Sequence, residues 1–188
     1  MPKPPLKNID PKKLFMHAQG FHIAEETLST ITIDRNPHLA AEIGSAVVVL
    51  SALNSELFLK CIICIETGLV PQGHYLDELF KEVSAQTQAK IEHIWTTEVV
   101  PLREPMWRKI EASIGSGETM RRDLLGALAG GSKAFQKIRY GYEGDTADVQ
   151  FYISDLPRLL GRVILQMKPE WAGLRRRVHE IPNPPAGP

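Results

Sequence analysis

Four side chains in the segment AFQKIRYGYEGD, residues 134–145, have the chemistry to act on a phosphate ester. Arg139 can neutralise the negative charge that develops on phosphate oxygens in a transition state. Glu143 follows four residues later, so it either transfers a proton or forms a helical ion pair with Arg139. Tyr140 and Tyr142 can stack on a base or a ribose, although aromatic residues at a helix end more often pack in a core or an interface. We predict Arg139 and Glu143 as catalytic residues and the two tyrosines as binding residues.

A second candidate site lies in the segment ALNSELFLKCIICIETGLVPQGHYLDELF, residues 52–80. Glu56 and Lys60 are four residues apart, in the order that favours an ion pair along a helix, and the helix around them is apolar. His74 follows a proline-glycine turn and precedes a short helix, and histidine changes its charge near neutral pH. We predict all three as binding residues. The structural alternatives are an ordinary ion pair along the helix and an imidazole that locks the loop by bonding local backbone.

Cys61 and Cys64 have the C-x-x-C spacing that many redox and zinc sites use. Both lie in the middle of an apolar helix, and no second pair of metal ligands accompanies them elsewhere in the sequence. We therefore predict two buried structural thiols, with no metal and no cofactor.

Residues 52–80 resemble the HEPN (higher eukaryotes and prokaryotes nucleotide-binding) superfamily. Its members carry a helix ending in Glu-Leu-x-Leu-Lys plus aliphatic residues, then a Gly/Pro loop, then His-x-Leu-x-x-Leu-Phe, and this segment has that order. Many members also carry, late in the bundle, an arginine followed after four to six residues by a histidine. Arg139 matches the arginine, but Gly144, Asp145 and Thr146 follow it. The segment reads Arg-Tyr-x-Tyr-Glu instead.

The resemblance implies a helical bundle that forms a homodimer, with RNA or a nucleotide as ligand and an antitoxin as a partner. In active family members the arginine and the histidine form a metal-independent ribonuclease site across the dimer. The missing histidine removes the usual proton-transfer group, since such work needs a titratable side chain. If the chain is catalytic, Glu143, His74 or Tyr142 replaces that histidine.

The composition is that of an ordinary globular protein. The 188 residues are 43% hydrophobic and 23% charged, which suits a single domain with one core. Lysine plus arginine and aspartate plus glutamate number 22 each, so no overall basic charge marks a dedicated nucleic-acid binder. The excess of basic residues is confined to the two ends. With two cysteines and no recognisable signal peptide, we expect a cytoplasmic protein.

The spacing of apolar residues is helical along most of the chain, and no alternating run framed by hairpin turns indicates a sheet. We predict an all-α, HEPN-like bundle of about five main helices with short extra helices. Residues 1–9 are expected to be a disordered basic arm, residues 10–172 a single helical domain, and residues 173–188 a basic and then proline-rich tail.

Capping residues, prolines and glycines predict the helix boundaries. The apolar second helix is interrupted by Asn54, Glu56 and Lys60, so we expect the buried centre of a bundle and no membrane anchor. The first three predicted helices run from Asp10-Pro11 to the residue before Asn36, from Pro37 to Gly68, and over 75–81. The fourth begins at Ser84 and is interrupted at Pro101 and Pro105. The last two run over 120–129, with a loosening at Gly130-Gly131, and over 147–167, with a kink at Pro157.

Two functions of different classes remain open at this point. The first is a helical module, without catalysis, that binds RNA, a nucleotide or a protein. The second is a metal-independent ribonuclease of toxin-antitoxin or phage-defence type with a divergent site. The absence of an evident general acid or base favours the module slightly, because such a group contributes roughly 10²–10⁴-fold to a rate.

Overall fold

The computed structural model describes residues 4–35, 37–114, 120–139 and 155–174. Seven α-helices occur in these ranges, and five of them are 13 residues or longer, which confirms the predicted all-α bundle. The helices are α1 Pro11–Arg35, α2 Pro37–Thr67, α3 Leu76–Glu82, α4 Ala85–Ile94, α5 Val100–Ile114, α6 Leu124–Arg139 and α7 Asp155–Met167. A 3₁₀ helix, Pro169–Leu174, follows α7.

Helices α1 and α2 form an antiparallel pair at the centre of the fold. Asp10 caps α1 by accepting a hydrogen bond from the backbone N–H of Lys12 at 2.9 Å, as the sequence predicts. The Phe15 ring packs on Phe58 of α2, with ring centroids 5.9 Å apart, and on Trp171 of the 3₁₀ helix at 5.5 Å. These three rings therefore join the start of α1, the middle of α2 and the end of the described chain.

Helix α2 supplies the largest share of the core. In the described part of the chain, its segment Ile43–Thr67 is the one stretch long and apolar enough to cross a membrane by length and composition. However, 67% of that apolar window is buried inside the structure. Helix α7 packs on α2 through an apolar face that includes Leu156, Leu160 and Ile164, each fully buried. The central position predicted for α2 is confirmed.

The N-terminal arm differs from the disordered segment that we predicted. Leu6–Lys7 forms a short strand, β1, which pairs in antiparallel fashion with β2, Leu69–Val70. The sequence indicated no sheet because two-residue strands are too short to show alternation. This pairing attaches the start of the chain to the end of α2.

The predicted interruption at Pro101 and Pro105 is wrong, since both residues lie in α5, which continues to Ile114. Proline has no N–H to donate to the carbonyl four residues earlier. A π-helical turn, Trp95–Val99, precedes the first proline. There the N–H of Val100 donates to the carbonyl of Trp95, five residues back, so the helical hydrogen bonding continues up to Pro101. Burial of Trp107 then holds the helix beyond Pro105 against the core.

Two further helix predictions need correction. Helix α6 continues through Gly130 and Gly131 to Arg139, because burial of Leu128 and Ala134 outweighs the poor helix propensity of glycine. Pro157 lies in the first turn of α7 as described, where a missing N–H costs little, so it causes no kink there. The predicted earlier part of that helix, residues 147–154, lies outside the described residues.

Candidate functional site

The structure brings the three predicted binding residues of the second segment into direct contact. On α2, the Lys60 ammonium donates to Oε1 of Glu56 at 2.8 Å, as their spacing predicts. Lys60 is buried, with 8% of its surface exposed, because its hydrocarbon stem packs among the apolar residues of α2 and its neighbours. Glu56 is thus held by a cation that is itself largely removed from water.

The third member, His74, reaches Glu56 from the loop before α3. Its Nδ1 lies 2.9 Å from Oε1 of Glu56, the same oxygen that accepts from Lys60. An ionised carboxylate only accepts hydrogen bonds, so Nδ1 carries the proton in this contact. The His74 side chain is 76% exposed, and its Nε2 bonds no described residue. The imidazole is therefore oriented by the protein on one side and open to solvent on the other.

Local sequence explains why His74 lies above Glu56. Gly68, with a φ of 73°, adopts the left-handed conformation that ends α2. Strand β2 and the Pro71-Gln72-Gly73 turn then reverse the chain, and burial of Leu76 and Leu79 seats α3 on the core.

Helix α3 is also held from α6. The Ser132 hydroxyl donates to Oδ1 of Asp77 at 2.6 Å, and it accepts from the backbone N–H of the same residue at 3.3 Å. Ser132 lies inside α6, so its side chain ties this helix to the first turn of α3.

The basic arm lies beside the loop that carries His74. The pairing of β1 with β2 places Lys7 opposite Leu69, and the Gln72 side-chain amide donates to the carbonyl of Pro4 at 2.7 Å. Pro4 therefore contacts a residue only two positions before His74. The side chain of Lys7 is exposed.

The first predicted site is largely outside the described residues. Arg139 is the last residue of α6, and its side chain is not among those described. Tyr140, Tyr142 and Glu143 lie in the undescribed range 140–154. Their proposed catalytic and binding roles remain predictions.

The structure also contains a cluster that our reading of the sequence missed, which we call the polar layer. It lies between α1 and α2, and its six residues each have no more than 4% of their surface exposed: Gln19, His22, Glu25, Ser51, Asn54 and Ser55. The Ser51 hydroxyl donates to Oε1 of Glu25 at 2.6 Å, and Nδ1 of His22 lies 3.4 Å from Oε2 of the same carboxylate. Ser51, Asn54 and Ser55 lie at i, i+3 and i+4 on the otherwise apolar α2, and this spacing is the sequence signal that could have indicated the polar layer.

Much of the polar layer has no hydrogen-bond partner. Within the described part of the chain, Oδ1 and Nδ2 of Asn54, Oε1 of Gln19 and Oγ of Ser55 are buried and unpaired. Such atoms are rare because each costs about 1–3 kcal/mol of desolvation. The layer therefore reduces the stability of the α1–α2 contact.

Cys61 and Cys64 are free and buried, as predicted. Burial, together with the nearby Cys64 and Asp10, raises the pKa of Cys61 to about 12. Its thiol donates to the carbonyl of Pro11 at 3.3 Å, and the Cys64 thiol lies 3.5 Å from the carbonyl of Ile9. Reactive cysteines have lowered pKa values, so Cys61 lacks the character of a redox site.

Among the described residues, no group of three or more His, Cys, Asp or Glu side chains is placed to hold a metal ion. The chemistry available at His74 is that of a single oriented imidazole. Protonated, it can donate to an anionic oxygen through Nε2; neutral, it can accept a proton there.

Three comparisons with known proteins add no relative. No protein-family model matches the chain, no curated protein matches it, and no solved structure matches it.

Proposed function

We propose that this chain is a helical module that binds a phosphate-bearing ligand, RNA or a nucleotide, at His74. The observation that carries the proposal is the contact between Nδ1 of His74 and the Glu56 carboxylate, which leaves Nε2 facing solvent. An imidazole held in this way loses little side-chain freedom when it binds a phosphate oxygen, which favours affinity.

The charges around His74 support an anionic ligand. Glu56 and Lys60 compensate one another in charge, so the Glu56 carboxylate adds little net negative charge beneath the imidazole. Lys7 on the neighbouring strand adds an exposed cation to the same end of the molecule. Phosphate contacts by lysine and histidine need no particular base, so we expect binding with little sequence preference.

Binding can be measured by fluorescence anisotropy with labelled oligouridylate and oligoadenylate, in EDTA and over a range of salt concentrations. We expect the affinity for both RNAs to fall steeply with salt, and His74→Ala to weaken binding about tenfold at low salt. His93→Ala removes an exposed histidine from α4 and serves as the matched control, which should bind as the wild type does. Absence of binding to either RNA and to ATP at low salt would overturn the proposal.

One observation favours the second function, a metal-independent ribonuclease. A carboxylate that orients an imidazole is also the arrangement of a general base, and it supplies the proton-transfer group missing after Arg139. In this version Nε2 of His74 accepts the proton of the ribose 2′-hydroxyl as that oxygen bonds to the phosphorus, and Arg139 neutralises the phosphate charge. The bond from phosphorus to the 5′-oxygen breaks, and the leaving oxygen takes a proton from water. The antitoxin partner implied by the family resemblance belongs to this proposal, whereas the implied homodimer goes with either function.

Incubation of the same RNAs in EDTA separates the two functions. Under the ribonuclease proposal, cleavage occurs and is lost in His74→Ala and in Arg139→Ala, while both variants keep the wild-type circular dichroism spectrum. RNA that is bound but never cut leaves the binding module as the function.

A further inference from the structure

Helix α5 exposes an apolar face that no described residue covers. Six exposed residues follow one another along this face, which we call the α5 stripe: Glu98, Pro101, Leu102, Pro105, Met106 and Lys109. Leu102 is 68% exposed, more than any other large hydrophobic residue in the described part of the chain. The exposed side of a helix is normally polar, so four adjacent apolar residues there mark an interaction surface.

The spacing of the α5 stripe places its residues on one side of the helix. Starting from Glu98, they lie at i, i+3, i+4, i+7, i+8 and i+11, the pattern of a face that packs against another helix. The opposite side of α5 is already used. Trp107 is fully buried there, and Arg103 donates two hydrogen bonds of 2.7 Å to Asp155 at the start of α7.

We propose that the α5 stripe binds the same stripe of a second copy of this chain, with the two helices antiparallel. The order of residues is the reason, because it is self-complementary about a twofold axis. An acidic residue begins the stripe, two apolar pairs follow, and a basic residue ends it. An antiparallel match places Glu98 of each copy opposite Lys109 of the other, Pro101 opposite Met106, and Leu102 opposite Pro105. This is the isologous form that twofold dimers take.

The charges at the two ends are available for such a contact. Glu98 accepts a hydrogen bond from Nη1 of Arg162 through one oxygen, Oε2, at 2.7 Å, and this contact lowers its pKa. The carboxylate is thus ionised at neutral pH, with its other oxygen open. Lys109 is exposed and forms no ion pair with a described residue. A dimer would contain two pairs of Glu98 with Lys109 of the other copy, and these pairs would favour the antiparallel arrangement of the two helices.

One helix face is a small interface. Stable complexes bury roughly 800 Å² on each partner, and six residues of a single helix supply less than that. We therefore expect a reversible dimer with a dissociation constant on the order of 10 μM.

Sedimentation equilibrium of the full chain at several concentrations tests the proposal. We expect the wild type to dimerise. Leu102→Asp should weaken the dimer by about a hundredfold, because it places a charged carboxylate among the apolar residues of the stripe. Leu125→Asp makes the same change at an exposed leucine on α6 and should leave dimerisation unchanged. A wild-type chain that stays monomeric at about 100 μM overturns the proposal.

A charge exchange tests the register. In Lys109→Glu, both ends of the stripe are acidic, and in Glu98→Lys both are basic, so each variant alone should dimerise about tenfold more weakly. Mixed in equal amounts, the two variants should form a heterodimer of nearly wild-type affinity, since each contact is again between opposite charges. A mixture that associates no better than its components overturns the antiparallel register, even if the wild type dimerises.

Discussion

Helix α2 carries two polar regions that differ in how their side chains are satisfied. In the polar layer, Asn54 and Ser55 are buried and have no side-chain partner among the described residues, whereas Ser51 donates a hydrogen bond to Glu25. At the residue directly after Ser55, the Glu56 carboxylate accepts from both Lys60 and His74. Because a site that binds a ligand needs its groups held in place, the paired region is the better binding site. We expect the unpaired groups of the polar layer to lower stability, and its buried side chains are not exposed to a ligand in solvent.

The largest expected effect is at Glu25, the carboxylate that both Ser51 and His22 contact in the polar layer. Glu25→Ala removes the acceptor for Ser51 and the partner of His22 Nδ1, so among the described residues the Ser51 hydroxyl loses its hydrogen-bond partner and His22 keeps only its ionic contact with Glu26. We expect the free energy of unfolding to fall by about 3 kcal/mol, measured by urea denaturation. Glu26→Ala removes the longer contacts of a partly exposed carboxylate, 3.4 Å to His22 Nε2 and 3.5 Å to Arg158, and should cost less than about 1 kcal/mol. Equal losses in both variants would show that the layer contributes nothing specific.

Asn54→Leu should have a smaller effect of opposite sign. The asparagine amide is buried and has no partner among the described residues, and leucine has nearly the same shape without polar atoms. Removing an unsatisfied group in this way should raise the free energy of unfolding by about 1 kcal/mol. A loss of stability of that size would mean that Asn54 is hydrogen-bonded in solution and that the contrast between the two regions is smaller than it looks. Thermal and urea denaturation measure the sign.

The end of α2 gives a pH test of a fully paired carboxylate. Burial alone would raise the pKa of Glu66, but hydrogen bonds from Thr87 Oγ1 at 2.6 Å and from the hydroxyl and N–H of Ser84 lower it below its usual value. A lowered pKa means that the stabilisation is complete above the unfolded value of 4.5 and is lost as the pH falls through the folded value.

Glu66→Gln should therefore cost about 0.5–1 kcal/mol at pH 7, and the difference from the wild type should shrink below pH 4. Urea denaturation at pH 7, 5 and 3 measures it. A difference that stays constant over this range would show that the charge of Glu66 is not what Ser84 and Thr87 stabilise.

Elements whose ends depend on local sequence were predicted well, and those that depend on distant contacts were not. The caps and apolar spacing of α1 and α2 were enough to place both helices, since Asp10, Pro37 and Gly68 act through local backbone geometry. Arm pairing and the continuity of α5 and α6 depend on contacts far apart in the sequence. For that reason the prolines and glycines within those helices misled the prediction.

The candidate site was predictable only in part, for a similar reason. The Glu56–Lys60 pair follows from helical spacing alone. The contact between His74 and Glu56 spans a turn whose path depends on β1, β2 and the seating of α3, and neither strand was expected. The polar layer escaped notice because its members belong to two helices, and each looked like an isolated polar interruption of an apolar face.

The smallest expected effect on stability falls at His74, and it separates binding from folding most clearly. Its side chain is 76% exposed and, among the described residues, bonds Glu56 alone, so His74→Ala should change the free energy of unfolding by less than about 0.5 kcal/mol. Since the same substitution is expected to weaken RNA binding about tenfold, the two measurements should diverge in one variant. A histidine that merely locked the loop would give the reverse result, with a clear loss of stability and no specific loss of affinity. Because Glu56 keeps its bond to Lys60 in this variant, any loss of binding reports on the imidazole itself and not on a rearranged carboxylate.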